Sequence, residues 1–279
     1  MSNTTYIEYA FNVNPLQPAS DILIAELGEA GFESFVENET GLLAYIQENN
    51  WSEHILNDVQ ILNNELFNIG FNHKKIAQEN WNATWEENFE PIMVADTCIV
   101  RAPFHKKHKV DYDIVIMPKM SFGTGHHETT HMMLQHILNH SFEGKSVLDM
   151  GSGTGVLAIL AAMKGASNID AIDIDHWCYL NAKENVVRND CGQINVYEGD
   201  VALLKEQKYD VILANINRNI LLHDIPVYAG CLNKSGKLML SGFYETDITL
   251  ISKKCEDRGL NFQNKTQKGE WISMIFKKS

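Results

Sequence analysis

The run Val147-Leu148-Asp149-Met150-Gly151-Ser152-Gly153-Thr154-Gly155 sets three glycines at alternate positions directly behind an acid. Glycine permits positive φ and lets a ligand approach the backbone with no Cβ in the way. An apolar pair precedes the turn and a helical pattern follows it, so N–H groups at the start of that helix face a carboxylate or a phosphate. The spacing separates two ligand classes. Dinucleotide sites use G-x-G-x-x-G, whereas this is G-x-G-x-G. A pyrophosphate wants an uncluttered helix N-terminus, but an amino-acid moiety also carries an ammonium, which Asp149 would offset. Asp173 stands 22 residues after Gly151, near the spacing of an acid that accepts from a ribose hydroxyl. Asp200, in Glu198-Gly199-Asp200, ends a further strand and is placed to accept from an adenine amino group. Any one of these acids alone reads equally as a solvated loop carboxylate, so the combination carries the argument.

S-adenosylmethionine has all of these groups and is the expected cofactor. A second glycine-rich segment lies upstream, Met120-Ser121-Phe122-Gly123-Thr124-Gly125-His126-His127-Glu128-Thr129-Thr130-His131, leading into an apolar helical face. His127 and His131 are four apart, a spacing that invites a metal reading. Zinc sites want three or more convergent ligands, and no partner motif appears elsewhere, so no metal is assigned. The favoured reading is a turn capping a helix, with Thr129 or Thr130 touching the cofactor.

Strand and helix patterns alternate from about Ser146, which predicts a parallel sheet with both faces covered. Strands are expected at Val147-Leu148, Ile169–Ile174, Ile194–Tyr197, Val211–Ala214 and Lys237–Leu240, with helices near 176–189, 218–230 and 246–258. Val156, Ile159, Leu160 and Met163 share one face of the helix after the glycines, and Gly165 closes it. Leu260–Gln263 and Trp271–Phe276 have no crossover helix between them and must pair antiparallel. The fold class is therefore α/β, a Rossmann-like seven-strand methyltransferase sheet with an antiparallel C-terminal hairpin. Ahead of it, residues 1–78 read as a small α+β, ferredoxin-like domain in βαββαβ order. Ile7, Tyr9 and Phe11 alternate as a strand, and Ser20 and Gly31 bound a helix. Phe32–Val36 and Leu42–Ile46 follow as strands. Ile55, Val59, Leu62 and Leu66 mark a second helix, and a last strand runs near Phe71–Ala77. Residues 79–95, with Trp81, Trp85 and Phe89 every four residues, read as an aromatic linker helix. Residues 96–279 form the catalytic domain, in which Thr97–Ala102 and Tyr112–Met117 make a strand pair around the basic run at 105–109.

A chain of 279 residues with a formal net charge of −13 lacks the basic surface that a sequence-independent grip on nucleic acid needs. That charge suits a basic partner, although acidic surfaces also serve solubility alone. No apolar run is long enough for a membrane helix, and no secretion signal opens the chain. The five cysteines, Cys98, Cys178, Cys191, Cys231 and Cys255, are odd in number and widely spaced, as expected of reduced thiols in the cytoplasm.

The run Phe122–Thr130 resembles the F-G-T-G-x-H-x-T-T signature of the ribosomal protein L-eleven methyltransferases. Asp210-Val211-Ile212-Leu213-Ala214-Asn215-Ile216 resembles that family's D-x-x-x-A-N-I, and Trp81, Trp85, Phe89, Pro91 and Leu240-Ser241-Gly242 also fit. The resemblance spans nearly the whole catalytic half; over residues 1–78 it rests on size and element order. It implies an S-adenosylmethionine-dependent protein methyltransferase acting on amino groups of a large-subunit ribosomal protein, as a cytoplasmic monomer. Lysine side chains are the expected acceptors, with the N-terminal α-amine a further candidate, and the first domain presents the substrate. It places the cofactor-binding threonine on Thr130, the motif glycine on Gly151, the ribose acid on Asp173 and the post-strand asparagine on Asn215. Gly153, Asp149 and Asp200 complete the expected cofactor set. Asn215 is the expected catalytic residue, orienting the amine or the methyl donor; a strand-end cap is the plain alternative. Amide- and adenine-directed enzymes carry an N-P-P-Y type motif there, and Asn215-Ile216-Asn217-Arg218 has neither proline nor aromatic, which fits an sp³ amine. Two departures stand out: Glu128 replaces a common proline, and Asn217-Arg218-Asn219-Ile220 replaces Ala-Gly-Pro-Leu. Two rivals remain, a same-fold enzyme acting on RNA or a small molecule, and a non-catalytic cofactor-binding ribosome assembly factor.

Overall fold

The computed structural model describes residues 5–76, 89–119, 121–205 and 207–279, and the chain divides into two compact units, 1–87 and 88–279. In the first, β1 (Tyr6–Asn14), β2 (Ser34–Asn38), β3 (Gly41–Gln47) and β4 (Asn68–Ile76) form one sheet in the order β2-β3-β1-β4. Every pairing is antiparallel. Ile7, Tyr9, Phe11 and Val13 alternate onto one face and are buried with Leu23 and Leu27 of α1 (Leu16–Glu29), where period 2 meets period 3.6.

Two expectations for this unit fail. Ser20 does not cap α1. A non-helical Gln17 leaves Pro18 to open the regular turns, a position that suits its fixed φ, and Ser20 lies fully buried inside the helix. The second helix, through Ile55, Val59, Leu62 and Leu66, is replaced by turns and a single 3₁₀ turn at Gln60–Asn63. Val59 and Ile61 are buried there but Leu66 is 78% exposed. Asn57-Asp58 and Asn63-Asn64 favour turns over helix, and a Glu26 carboxylate oxygen accepts the Ile61 N–H at 3.0 Å. The strand order of the ferredoxin-like arrangement survives with that crossover reduced.

Trp81 and Trp85 lie outside the described residues. The far end of the expected linker helix is instead a strand, β5 (Ile92–Val94), antiparallel to β6 (Cys98–Arg101), so the second unit starts before residue 96. β6 pairs in parallel with β7 (Tyr112–Val115). The Arg101 guanidinium grips Asp113 through Nε at 2.6 Å and closes the basic loop between them.

The main sheet contains β8 (Ser146–Met150), β9 (Asn168–Asp173), β10 (Ile194–Glu198), β11 (Tyr209–Asn215), β12 (Leu232–Tyr244), β13 (Leu260–Lys268) and β14 (Trp271–Lys278). Its order is β10-β9-β8-β11-β12-β14-β13. The first five strands are mutually parallel, and β14 runs antiparallel to both its neighbours, as expected from the missing crossover. Neighbouring strand residues point to opposite faces. Val147, Ala171, Leu213 and Met239 join one core, with α2 (Glu128–Leu138) and α3 (Val156–Met163). Leu148, Ile172, Ile212 and Leu240 join the other, with α5 (Arg218–Cys231) and α6 (Ile248–Glu256). α4 (His176–Arg188) adds Val186 to the first. Two covered faces explain why these strands read as continuous apolar runs. The strand order reverses between β8 and β11, and open sheets of this kind bind ligands beyond the carboxyl ends of the strands at such a point.

Candidate active site

A cavity of about 310 Å³ opens at that reversal, lined among others by Gly151, Gly153, Asp173, Asp200, Asn215 and Phe122. Five of the seven residues expected at the cofactor therefore converge on one space. They arrive from the ends of β8, β9 and β11 and from the turn after β10, because consecutive parallel strands all finish on the same side. Thr130 and Asp149 are absent from the lining and stand just behind it, both fully buried.

The glycine turn is held by its own backbone and by one acid. Asp173 accepts the Gly153 N–H at 2.8 Å through one carboxylate oxygen and the Asp175 N–H at 3.0 Å through the other. Each oxygen keeps a further lone pair for a hydroxyl. Gly153 has φ 54°, and a Cβ there would run into the Phe122 carbonyl oxygen. That contact, with the Thr154 N–H donating to the same carbonyl at 2.9 Å, docks the two glycine-rich segments on each other. Gly242 plays the same part at the end of β12, where a Cβ would meet the Ile216 carbonyl.

Asp149 lies beneath the turn. One oxygen accepts the Ala158 N–H at 3.1 Å at the start of α3, and the other, Oδ1, has no partner among the described residues. Burial pushes its carboxyl up to about 7, partly opposed by that N–H and reinforced by nearby Asp173. A cation bound beside a carboxyl so placed favours its charged form.

Asn215 donates from Nδ2 to the Thr130 hydroxyl at 3.3 Å, and its buried Oδ1 has no partner among the described residues. It is no strand-end cap. That role belongs to Asn217, whose Oδ1 accepts the Asn219 and Ile220 N–H groups that open α5. Asp200 accepts the Ala202 N–H at 2.8 Å, which fixes it at the rim of the cavity. His127 caps α2, accepting the Thr129 N–H. His131 is a separate matter, its pKa lowered by burial and by Lys268. Among the described residues no three His, Cys, Asp or Glu side chains converge as a metal site, and all five cysteines are free thiols.

Sequence reasoning missed part of the wall. Ile174, Val201 and Ile220 are apolar residues at the cavity, flat cover for an aromatic base. Ile174 is 73% exposed at the end of a strand, an uneconomical place for isoleucine, and that was the available signal. Asp224 also lines the space; its carboxylate accepts the Tyr228 hydroxyl at 3.1 Å within α5, and nothing in its sequence surroundings singles it out.

Buried oxygens awaiting a cation and a donor, an acid ready for hydroxyls, apolar flanks and a glycine cradle fit the groups of S-adenosylmethionine. Fold and cavity together define an S-adenosylmethionine-dependent methyltransferase. The family model described as ribosomal protein L11 methyltransferase (PrmA) matches residues 17–279. A ribosomal protein L11 methyltransferase of Phocaeicola vulgatus is 45% identical over 277 residues, covering 97% of this chain and 98% of its own. One from Bacteroides fragilis is 43% identical, covering 97% and 99%. A solved structure, the ribosomal protein L11 methylase of Lactobacillus delbrueckii subsp. bulgaricus, superposes with a TM-score of 0.63 at 26% identity, over 68% of this chain and 100% of its own. The chain belongs to the ribosomal protein L11 methyltransferase family.

Proposed function

We propose that this protein methylates amino groups of ribosomal protein L11, chiefly lysine side chains and also the N-terminal α-amine, working as a monomer in the cytoplasm. The observation that carries the reading is Asn215. Its side chain lines the cavity at the switch point, with the nitrogen committed to Thr130 and the buried oxygen without a partner among the described residues. An unpaired amide oxygen in that position accepts from an amine N–H, and holding the amine in line supplies much of the rate. Positioning alone is worth roughly 7–11 kcal/mol.

When bound, S-adenosylmethionine would supply a methyl group activated as a sulfonium for transfer to the substrate amine. Gly151 and Gly153 would seat its amino-acid end, Asp149 would balance the ammonium, Asp173 would accept from the ribose and Asp200 from the adenine amino group. A lysine, with reference pKa near 10.4, costs roughly 4–5 kcal/mol to deprotonate at pH 7. Desolvation among Phe122, Ile216 and Ile220 lowers that cost, so no dedicated base is assigned. Residues 1–78 would present the substrate, and the net charge of −13 would suit a basic one.

Among the described residues no helix is long and apolar enough to cross a membrane. Labelling an extract of cells lacking this gene with the purified protein and methyl-labelled cofactor tests the acceptor class. Label lost on protease treatment and kept after ribonuclease supports a protein acceptor; the reverse pattern overturns it in favour of RNA.

A further inference from the structure

Helix α5 carries an acid to which the donor site above gives no task. Asp224 lines the cavity, yet its helical neighbours Leu221, Ile225 and Tyr228 belong to the core. Only 5% of its surface is exposed. A carboxylate in such surroundings is costly unless it is well paired, and an apolar residue would meet the packing need alone. Its pairing is partial. Oδ1 accepts from His223 Nδ1 at 2.7 Å, and the other oxygen accepts the Tyr228 hydroxyl at 3.1 Å. Tyr228 is fully buried, and burial together with the Asp224 carboxylate holds its phenol well above the ordinary range, so it remains a donor. A carboxylate offers about four acceptor sites, so each oxygen can take a further hydrogen.

Position along α5 decides which end of the cavity Asp224 serves. Asn217, Ile220 and Asp224 all line it at intervals of three and four residues, so they share one face of the helix. Asn217 follows Asn215 by two residues and stands at the reacting end. Asp224 comes about two turns later, roughly 10 Å along the axis. Val201, next to Asp200, packs against the core cluster that holds Leu221 and Ile225. The turn carrying Asp200 and this part of α5 therefore bound the same end. Ile174, Val201 and Ile220 give that end apolar walls, which suit the adenine ring better than the amino-acid chain. With Asp149 set against the ammonium and Asp173 against the ribose, the 6-amino group is the donor left, and it carries two hydrogens.

We propose that Asp224 is a specificity residue for the base of the methyl donor, sharing the two hydrogens of a 6-amino purine with Asp200 and rejecting a 6-oxo purine, with Tyr228 and His223 as the positioning residues that aim it. A carbonyl at that place would set its lone pairs against a buried carboxylate that has nothing to donate. Sites built to bond a particular polar group reject the analogue lacking it far more strongly than apolar pockets do, because their own buried groups are then left unpaired. The inference concerns the methyl donor alone and stands whichever acceptor the enzyme uses.

The test is a pair of binding measurements on the full chain, by calorimetry, with S-adenosylhomocysteine and its 6-oxo counterpart S-inosylhomocysteine. The unaltered protein is expected to favour the adenosine compound by about 100-fold or more. Asp224→Asn keeps the shape of the side chain but can donate to a carbonyl. It should weaken the adenosine compound, strengthen the inosine one and cut the ratio by about ten-fold or more. Tyr228→Phe removes a single hydroxyl and keeps the test open if Asp224→Asn does not fold; it should lower the ratio by about three-fold. A residue that only packs α5 would weaken both compounds alike. An unchanged ratio in both variants, or no preference in the unaltered protein, therefore overturns the proposal. If the unaltered protein binds neither compound, the donor assignment itself fails and this inference falls with it.

Discussion

The donor side and the acceptor side of the site are built on opposite plans. The donor side is backbone: a glycine turn whose N–H groups are claimed by Asp173 and by neighbouring carbonyls, over a fully buried Asp149. The acceptor side is side chain, with partly exposed rings (Phe122, His127, Tyr244 and Trp271) drawn from separate segments and held by register and the Arg218–Asp247 ion pair. A cofactor of fixed shape rewards a preorganised, rigid seat. A protein substrate that must enter, be methylated and leave is better met by adaptable surface. Changes on the two sides should therefore fail differently.

The largest effect is expected from Asp173→Ala, which removes both the candidate ribose acceptor and the anchor of the Gly153 N–H. Cofactor affinity should fall by about 100-fold or more, near 2.7 kcal/mol, measured by calorimetry. A loss below about three-fold would mean the carboxylate only shapes the turn. Next is Gly153→Ala, which sets a Cβ against the Phe122 carbonyl at positive φ. Denaturant unfolding should show a loss of about 2 kcal/mol or more, and an unchanged midpoint would break the picture of a rigid seat.

A smaller and more diagnostic effect concerns Asp149. Burial holds its carboxyl up near 7, and a cation bound beside it favours ionisation, so binding releases a proton. Affinity for the cofactor should rise by about ten-fold between pH 6 and 8 and then level. Asp149→Asn should bind more weakly with that slope flattened. The same slope in the variant would assign the titration to another group. The smallest effect is expected from Tyr244→Ala, whose unfolding midpoint should match the unaltered protein within about 0.5 kcal/mol. A larger loss would make the Tyr244–Trp271 ring pair a structural element and erase the contrast between the two sides.

The same contrast governs what could be read from the chain. The glycine turn, Asp173 and Asn215 are legible because a short contiguous stretch, or the end of an apolar strand, already implies the geometry that makes each residue useful. The parallel direction of the first strands and the antiparallel hairpin at the end follow from apolar runs and from the missing helix between Leu260 and Phe276, whereas the order of the strands in the sheet does not. Trp271 and Tyr244 are not legible, since their meeting depends on the register between β12 and β14. Arg218 was noticed only as a departure; its purpose needs Asp247 beside it. The failed helix through Ile55 and Leu66 shows the limit of spacing alone, as apolar residues at helical intervals did not outweigh four asparagine and aspartate positions within the same stretch. Asn217, passed over, took the capping role considered for Asn215.

This cavity is where methyl groups would pass to ribosomal protein L11. Intact mass of purified large-subunit ribosomal proteins, after incubation with the protein and S-adenosylmethionine, tests it against an Asp173→Ala control. Gains of whole methyl masses are expected on L11 alone, absent in the control. No gain on any ribosomal protein, with cofactor binding confirmed, would contradict it.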